Sequence, residues 1–498
     1  MAGMVIYAAV LVALALVLPL EWWDKRASHV LLGIGAISAW RYSWGATNLA
    51  RSLIYRFVVF PPMRRKADAL GDAGMPSHIY LLLTSFRIDT ETTSEVYRAA
   101  MMEAASCGSD VTMVCSIVEM SDQRLIKQLF ERLDMPERVR LVFVRIPGTG
   151  KRDAIAQGLR AIAKMIPPED AVVALIDGDS ILEPGLLRGT LPFFKLLPKV
   201  DALTTDEMCE VRGATVFRDW YNVRFAQRQI GMSSVALSRR VLTLTGRMSA
   251  FRGSVAVKPE FIADVENDAV DHWRLGRIKF LTGDDKSSWY SILKSGREML
   301  YVPDRVVTTI ETPPDPDFLR SATVLMRRWF GNMLRTNERA LKLGAKPMGL
   351  FVWWSIFDQR MSMWTGLIGP TAAIIATLAY GWGPLLLYAY WVLLTRYIQT
   401  LGLLTARTNV KWTYPALMYF NQIYGALIKT YIFFRLDQQK WTRQNTVSVR
   451  DVSWLNSRVL SFSSWSMHAV AVLTFVSLIL MYLGLARNPV SSLAALLP

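Results

Sequence analysis

The 498 residues are 52% hydrophobic and only 20% charged, with a formal net charge of +16. That is too apolar for an ordinary soluble domain, and the apolar residues collect at the two ends of the chain, leaving a polar middle. The three cysteines (Cys107, Cys115, Cys209) form no CxxC and the four histidines no HxxxH or HExxH, which argues against a disulfide scaffold and a zinc enzyme and leaves the excess of Lys and Arg to be read first as the basic loops of a membrane protein.

In chain order, Met4–Leu20 carries no charge and nearly suffices to cross a hydrocarbon core. It lacks the basic n-region and small-x-small cleavage site of a signal peptide. Val30–Trp40 is a shorter span, ended by Arg41, which must snorkel for the segment to cross. The basic cluster Arg51, Arg56, Arg64, Arg65 and Lys66 then places the polar middle of the chain in the cytoplasm. From His78 the pattern changes to alternating strands and helices. Ile79–Thr84, Val111–Val118, Arg138–Ile146, Ala171–Ile176 and Val200–Thr204 read as strands; Thr90–Ala105, Asp122–Leu133 and Lys151–Met165 read as helices. Such alternation predicts an α/β domain with a mostly parallel sheet, which binds ligands at the C-terminal ends of its strands. Apolar spans resume at Met361–Tyr380, Leu385–Leu404 and Ser461–Leu485. Trp412–Phe434 is apolar but flanked by positive charge on both sides, and is expected to lie on the cytoplasmic face of the membrane. The expected division is a transmembrane hairpin at 1–50, a cytoplasmic domain at 51–345, and a second transmembrane region at 346–498.

Four segments carry candidate chemistry. Ala174–Ser180 feeds two carboxylates, Asp177 and Asp179, from an apolar strand into a loop; hard cations such as Mg²⁺ take such oxygens together with those of phosphates, while a plain Asp-Gly turn is the alternative. Gly150-Lys151-Arg152-Asp153 opens a helix whose N-terminus, reinforced by two cations, suits an anion. An ATPase phosphate loop is excluded, because Arg145 stands where its first glycine belongs and Arg152 where it has Ser or Thr. Leu281–Lys286 places the acidic pair Asp284-Asp285 just before a helix, as a general base or as a helix cap worth about 1 kcal/mol. Met326-Arg327-Arg328-Trp329 pairs a diphosphate-clamping arginine with an indole, or forms a basic helix on anionic lipid.

Together these residues resemble the processive family-2 glycosyltransferases, the cellulose, chitin, hyaluronan and alginate synthases. The resemblance implies a GT-A-like nucleotide-sugar-binding domain inserted between transmembrane helices. Asp177 and Asp179 match the family's metal-binding DxD, implying a divalent cation, Mg²⁺ with Mn²⁺ as the alternative. Asp285 matches the catalytic base that ends the TED or GDD motif. Lys151, Arg152 and Asp153 match the basic segment ahead of DxD, and Glu119 is the nearest match to the acidic residue beside the nucleotide base. Leu244–Arg252 resembles the acceptor-site segment. Arg328-Trp329 match the end of QxxRW, although Leu325 replaces the Gln. Lys440-Trp441-Thr442-Arg443 stands where the family has a gating loop, which assigns Trp441, Thr442 and Arg443 to it. Thr84 and Arg87, in Thr84–Thr90, join the nucleotide-sugar-binding residues. That phrase, Leu281–Ser287 and Arg327–Asn332 are most similar to the catalytic subunits of bacterial alginate (mannuronan) synthase.

The resemblance implies an inverting, processive transfer of mannuronate from GDP-mannuronate into β-1,4-polymannuronate, with translocation across a bacterial inner membrane. A polyanionic product suits a basic chain. The implied partners are the donor, the growing polysaccharide, the lipid bilayer, and separate subunits for cyclic-di-GMP sensing and periplasmic export; no nucleic acid is expected. Another membrane polysaccharide synthase using a UDP-sugar, a transferase onto a lipid phosphate, and a non-catalytic scaffold are the rival readings.

Overall fold

The computed structural model describes residues 2–17, 28–441, 446–447 and 454–486. The chain divides into two compact units, Met1–Thr47 with Asp358–Leu436 and Arg450–Pro498, and Asn48–Phe357 with Asp437–Val449.

The second unit is built on an eight-stranded sheet. Its strands are β1 (His78–Thr84), β2 (Asp110–Ile117), β3 (Val139–Arg145), β4 (Val172–Asp177), β5 (Ser180–Leu182), β6 (Val200–Val211), β7 (Met248–Arg252) and, after a small hairpin of β8 (Ala269–His272) and β9 (Gly276–Lys279), β10 (Glu298–Glu311). The spatial order is β3-β2-β1-β4-β7-β6-β10-β5. The first four strands in that order run parallel. β7 is antiparallel to both β4 and β6, and β5 is antiparallel to β10. The sheet is mixed, a GT-A-like arrangement, yet mostly parallel as the alternating pattern predicts: six of its eight strands run one way, and only β5 and β7 oppose them. β7 escapes that pattern because it is a five-residue strand of small and large buried residues with no period of its own.

The inner parallel strands β1, β2 and β4 are largely apolar and covered on both faces, as such sheets require: Ile79, Leu81, Leu82, Leu83, Val111, Val114 and Val173 are fully buried, while the edge strand β3 is only half-buried. Helices α1 (Thr90–Ser106), α2 (Met120–Arg132) and α3 (Lys151–Lys164) follow β1, β2 and β3. Asp89 caps α1, its carboxylate accepting from the Thr92 amide. Helices α4 (Thr215–Ala236), α5 (Asp284–Lys294) and α6 (Phe318–Lys342) complete the elements that surround the strand ends. Pairing of Thr84 with both Asp177 and Ser116 aligns the ends of β1, β2 and β4 at one rim. Because β7 enters antiparallel, with Met248 opposite Ile176, the residues just before β7 arrive at that rim too.

In the first unit the helices are Ala2–Val17, Gly383–Gly402, Tyr414–Phe433 and Trp454–Tyr482, with parts of Ser28–Ile54 and Leu350–Tyr380. Among the described residues two helices are long and apolar enough to cross a membrane, Leu350–Tyr380 and Asn456–Tyr482, while Ala2–Val17 is shorter. Tyr414–Phe433 is one continuous helix in the stretch read as interfacial.

Candidate functional site

The rim gathers three of the motifs around one lysine. Asp177 ends β4, and Gly178 follows in a turn pressed against β1: a Cβ there would lie 2.6 Å from the Thr84 carbonyl oxygen and 2.7 Å from the Ile88 Cδ1. Lys151, the first residue of α3, sends its ammonium to Asp177 Oδ1 at 2.6 Å and to Asp284 Oδ2 at 2.8 Å. Asp284 and Asp285 open α5 after Gly283, which sits in the left-handed region at φ +89°. The Thr243 hydroxyl is 3.5 Å from Asp285 Oδ2. Gly246 closes the ring, because a Cβ on it would stand 2.7 Å from Asp177 Oδ2 and 2.9 Å from Lys151 Nζ. Thr84, Asp177, Gly246, Asp284 and Asp285 line a common cavity.

Charge and burial set the protonation states. Burial pushes Asp177 up to about 6; the Lys151 ammonium opposes this, while Asp179 and Asp284 add to it. Burial alone would lower Lys151, but the Asp177 and Asp284 carboxylates outweigh it and hold the amine protonated far above its usual range. Asp284 is buried as well, yet Lys151 and Arg152 keep it below the ordinary carboxylate range. Asp285 is raised, by burial first and by the neighbouring Asp284 second. Burial pulls Lys286 down to about 8, and its ammonium donates to the Leu242 carbonyl at 2.7 Å.

The other predicted residues take varied places. Arg152 turns inward: its guanidinium donates to the carbonyls of Val265 (2.6 Å) and Thr282 (2.9 Å) and to the Ser287 hydroxyl (3.0 Å). It thereby holds the turn that carries Asp284 and Asp285, rather than facing a diphosphate. Asp153 accepts from the Thr149 hydroxyl and from Gln157 at the start of α3. Glu119 is exposed at the start of α2, close enough to raise the carboxyl of Asp122 after burial has done so. Arg87 is exposed, with φ +48°, over the Phe86 ring. Asp179 lies beyond Gly178, and its carbonyl accepts from the Ile310 amide at 2.9 Å. Arg328 and Trp329 lie half-buried on α6, and the Trp329 indole packs on Trp220 (5.6 Å) and Tyr221 (6.0 Å) with the Arg224 guanidinium 3.9 Å over its ring. Thr442 and Arg443 lie outside the described residues; Trp441 ends a two-residue strand, and its side chain lies outside them as well.

Several contributors carry little or no sequence signal. Asn332, at the end of the Arg327–Asn332 phrase, accepts from the Thr282 hydroxyl at 2.9 Å and from Arg335 at 2.6 Å, and a Cβ on Gly283 would meet its Cγ at 2.8 Å. Gln439 accepts from the Leu281 amide at 3.0 Å and donates to the Lys279 carbonyl at 2.8 Å, tying residues 437–441 to the same turn. Gly246 and Arg247 lie within the acceptor-like segment Leu244–Arg252, and Thr243 adjoins it, so segment-level reading reaches them without assigning any one a role. Glu207, within β6, and Glu311, at the end of β10, carry only the weak signal of carboxylates in or closing a strand.

Among the described residues no group of three His, Cys, Asp or Glu side chains is arranged to hold a metal ion. Asp177 and Asp179 offer two hard-oxygen ligands on one turn, a donor set that fits a cation whose remaining positions come from a diphosphate rather than from a protein cage.

The glycosyltransferase-like family 2 model matches residues 76–332, which span the sheet, the cavity and the first half of α6. The glycosyltransferase alg8 of Pseudomonas syringae pv. tomato is 49% identical over 482 residues, covering 95% of this chain and 98% of that one. The glycosyltransferase alg8 of Azotobacter vinelandii is 49% identical over 478 residues, covering 95% and 97%. Among solved structures, a mannosyltransferase from Pyrobaculum calidifontis in complex with GDP-Man and Mn²⁺ aligns with a TM-score of 0.45 at 14% identity, over 78% of this chain and 98% of that one. With the family model matched across the sheet and relatives matched along nearly their whole length, the chain belongs to the family-2 glycosyltransferases and is a glycosyltransferase.

Proposed function

We propose that this enzyme is a processive, inverting glycosyltransferase that polymerises mannuronate from GDP-mannuronate into β-1,4-polymannuronate, the alginate precursor, and passes the product across the bacterial inner membrane. The observation that carries this reading is the Lys151 bridge, 2.6 Å to Asp177 and 2.8 Å to Asp284, which joins the DxD loop to the acidic turn of α5. The near-full-length likeness to the alg8 glycosyltransferases supports the choice of product.

In this reading Asp177 and Asp179 hold a divalent cation, Mg²⁺ or Mn²⁺, which supplies positive charge to the leaving diphosphate. Lys151 contributes a fixed positive charge beside that loop. Asp285 accepts the proton of the acceptor hydroxyl as its oxygen attacks the anomeric carbon; the bond to the diphosphate oxygen breaks on the opposite face, and the configuration inverts in one step. Arg152 and Asn332 act on this step only by fixing the turn that presents Asp285. The helices Leu350–Tyr380 and Asn456–Tyr482 support membrane residence. The arrangement we infer is an N-terminal hairpin (1–50), a cytoplasmic catalytic domain (51–345) and a C-terminal membrane region (346–498) with a gating loop. Separate subunits would sense cyclic-di-GMP and export the polymer.

The test is a panel of radiolabelled donors on isolated membranes, comparing GDP-mannuronate with UDP-sugars. Label from GDP-mannuronate in a high-molecular-weight product sensitive to alginate lyase is expected. A chloroform-soluble glycolipid as the sole product, or polymer from a UDP-sugar alone, overturns the proposal. Asp285→Asn, made at normal levels, is expected to retain donor binding and lose polymer formation.

A further inference from the structure

On α4, Trp220, Tyr221, Arg224 and Arg228 follow one another at steps that place them on one face of the helix. Two of the three cations gathered there are answered by acids. Arg228 lies 3.1 Å from Glu207; Arg247 lies 3.1 Å from Glu207 and 2.9 Å from Glu311. Arg224 differs. Its guanidinium stands 3.9 Å over the Trp329 ring and 5.2 Å from that of Trp220, and no carboxylate among the described residues is within ion-pair distance of it. Burial lowers it only to about 10, so it stays cationic at neutral pH. An aromatic ring offsets part of a guanidinium's desolvation through its face, which leaves the N–H edge available to a ligand.

The position belongs to the catalytic rim. Arg247, whose charge Arg224 feels, follows Gly246 at the Asp177–Lys151 pair, and Glu311 follows Ile310, which bonds the Asp179 carbonyl. We propose that Arg224, held on Trp329, binds the carboxylate of a hexuronate unit and so selects an acidic over a neutral sugar; this rests on the uronate-polymerase reading above. A planar guanidinium takes a carboxylate through two parallel hydrogen bonds. The more highly charged diphosphate is the poorer fit, because Glu207 and Glu311 stand beside this site and the cation-ready loop at Asp177 is elsewhere on the rim.

The test uses the full-length enzyme in membranes. Arg224→Gln and Arg224→Lys are assayed for KM with GDP-mannuronate and with an oligomannuronate primer, and for GDP affinity in Mg²⁺; size exclusion in detergent checks the folding of each. For Arg224→Gln, KM for the donor or the primer is expected to rise by about 10–100-fold, the loss of a charge-assisted pair, with GDP affinity unchanged. A rise for the donor places the carboxylate on the incoming sugar; a rise for the primer places it on the acceptor. Should the Gln variant not fold, Arg224→Lys decides alone, with a rise of about threefold or more expected from losing the paired geometry. Unchanged KM values in a folded variant overturn the assignment, and so does a parallel loss of GDP affinity, which would assign Arg224 to the diphosphate. If the wild-type enzyme transfers no uronate, the functional reading fails first; uronate transfer by wild type and variant alike removes Arg224 only.

Discussion

Asp285 is a carboxylate whose proton affinity is raised by burial and by a second carboxylate next to it. A general base must be ionised to act. Activity is therefore expected above its raised pKa and lost as the pH falls through it, so the acid limb of the pH–rate profile should lie above the ordinary aspartate value of about 3.9. A limb at or below that value, measured under donor saturation, would exclude Asp285 as the base. Lys151 poses a different problem. Removing it as Lys151→Met leaves Asp177 and Asp284 facing each other without their shared cation, which is expected to lower stability by about 3 kcal/mol and to stop transfer. Lys151→Arg should recover much of the stability, as thermal unfolding in detergent would show. Asp177, Asp179, Lys151 and Asp285 are all readable from residue type and spacing. The bridge from Lys151 to Asp284 is not, because nothing local to residue 151 indicates a partner so far along the chain. Arg152 shows the converse: its charge suggests a ligand, while its surroundings of backbone carbonyls make it a brace.

At the scale of elements, the site depends on turns that admit no side chain. Gly178→Ala would drive a methyl group against a backbone oxygen at 2.6 Å, whereas Gly246→Ala would meet only the ends of Asp177 and Lys151. The first is expected to reduce the yield of folded protein, and the second to leave folding intact and lower activity by breaking the ion pair; expression level and transfer rate separate the two. Gln439→Leu removes two hydrogen bonds from the turn between β9 and α5, each worth about 1 kcal/mol. Faster amide exchange across residues 279–283, with the sheet unchanged, is the expected readout. β1 and β4 are legible because each is an apolar run closed by a polar residue, and β2 and β3 because apolar residues still dominate them around Thr112, Ser116 and Arg140. β10 is not, since Pro303-Asp304-Arg305 interrupts it and its pairing with β6 shifts there, between Val302 and Val306. β7 is hidden by its brevity, and with it the antiparallel step that brings Gly246 to the rim.

For the whole molecule, the apolar ends of the chain form helices. Leu350–Tyr380 and Asn456–Tyr482 are expected to keep the protein in the membrane fraction after alkaline carbonate and to release it only into detergent; recovery in the carbonate supernatant would contradict their crossing a bilayer. The catalytic unit, by contrast, settles its own electrostatics. The Lys151 ammonium already bridges two of the acids at the rim, so the fold does not wait for a metal in the way that a zinc finger does. Chelator treatment should therefore silence turnover while leaving the melting temperature where it was, and an enzyme stored metal-free should resume work as soon as the ion is restored.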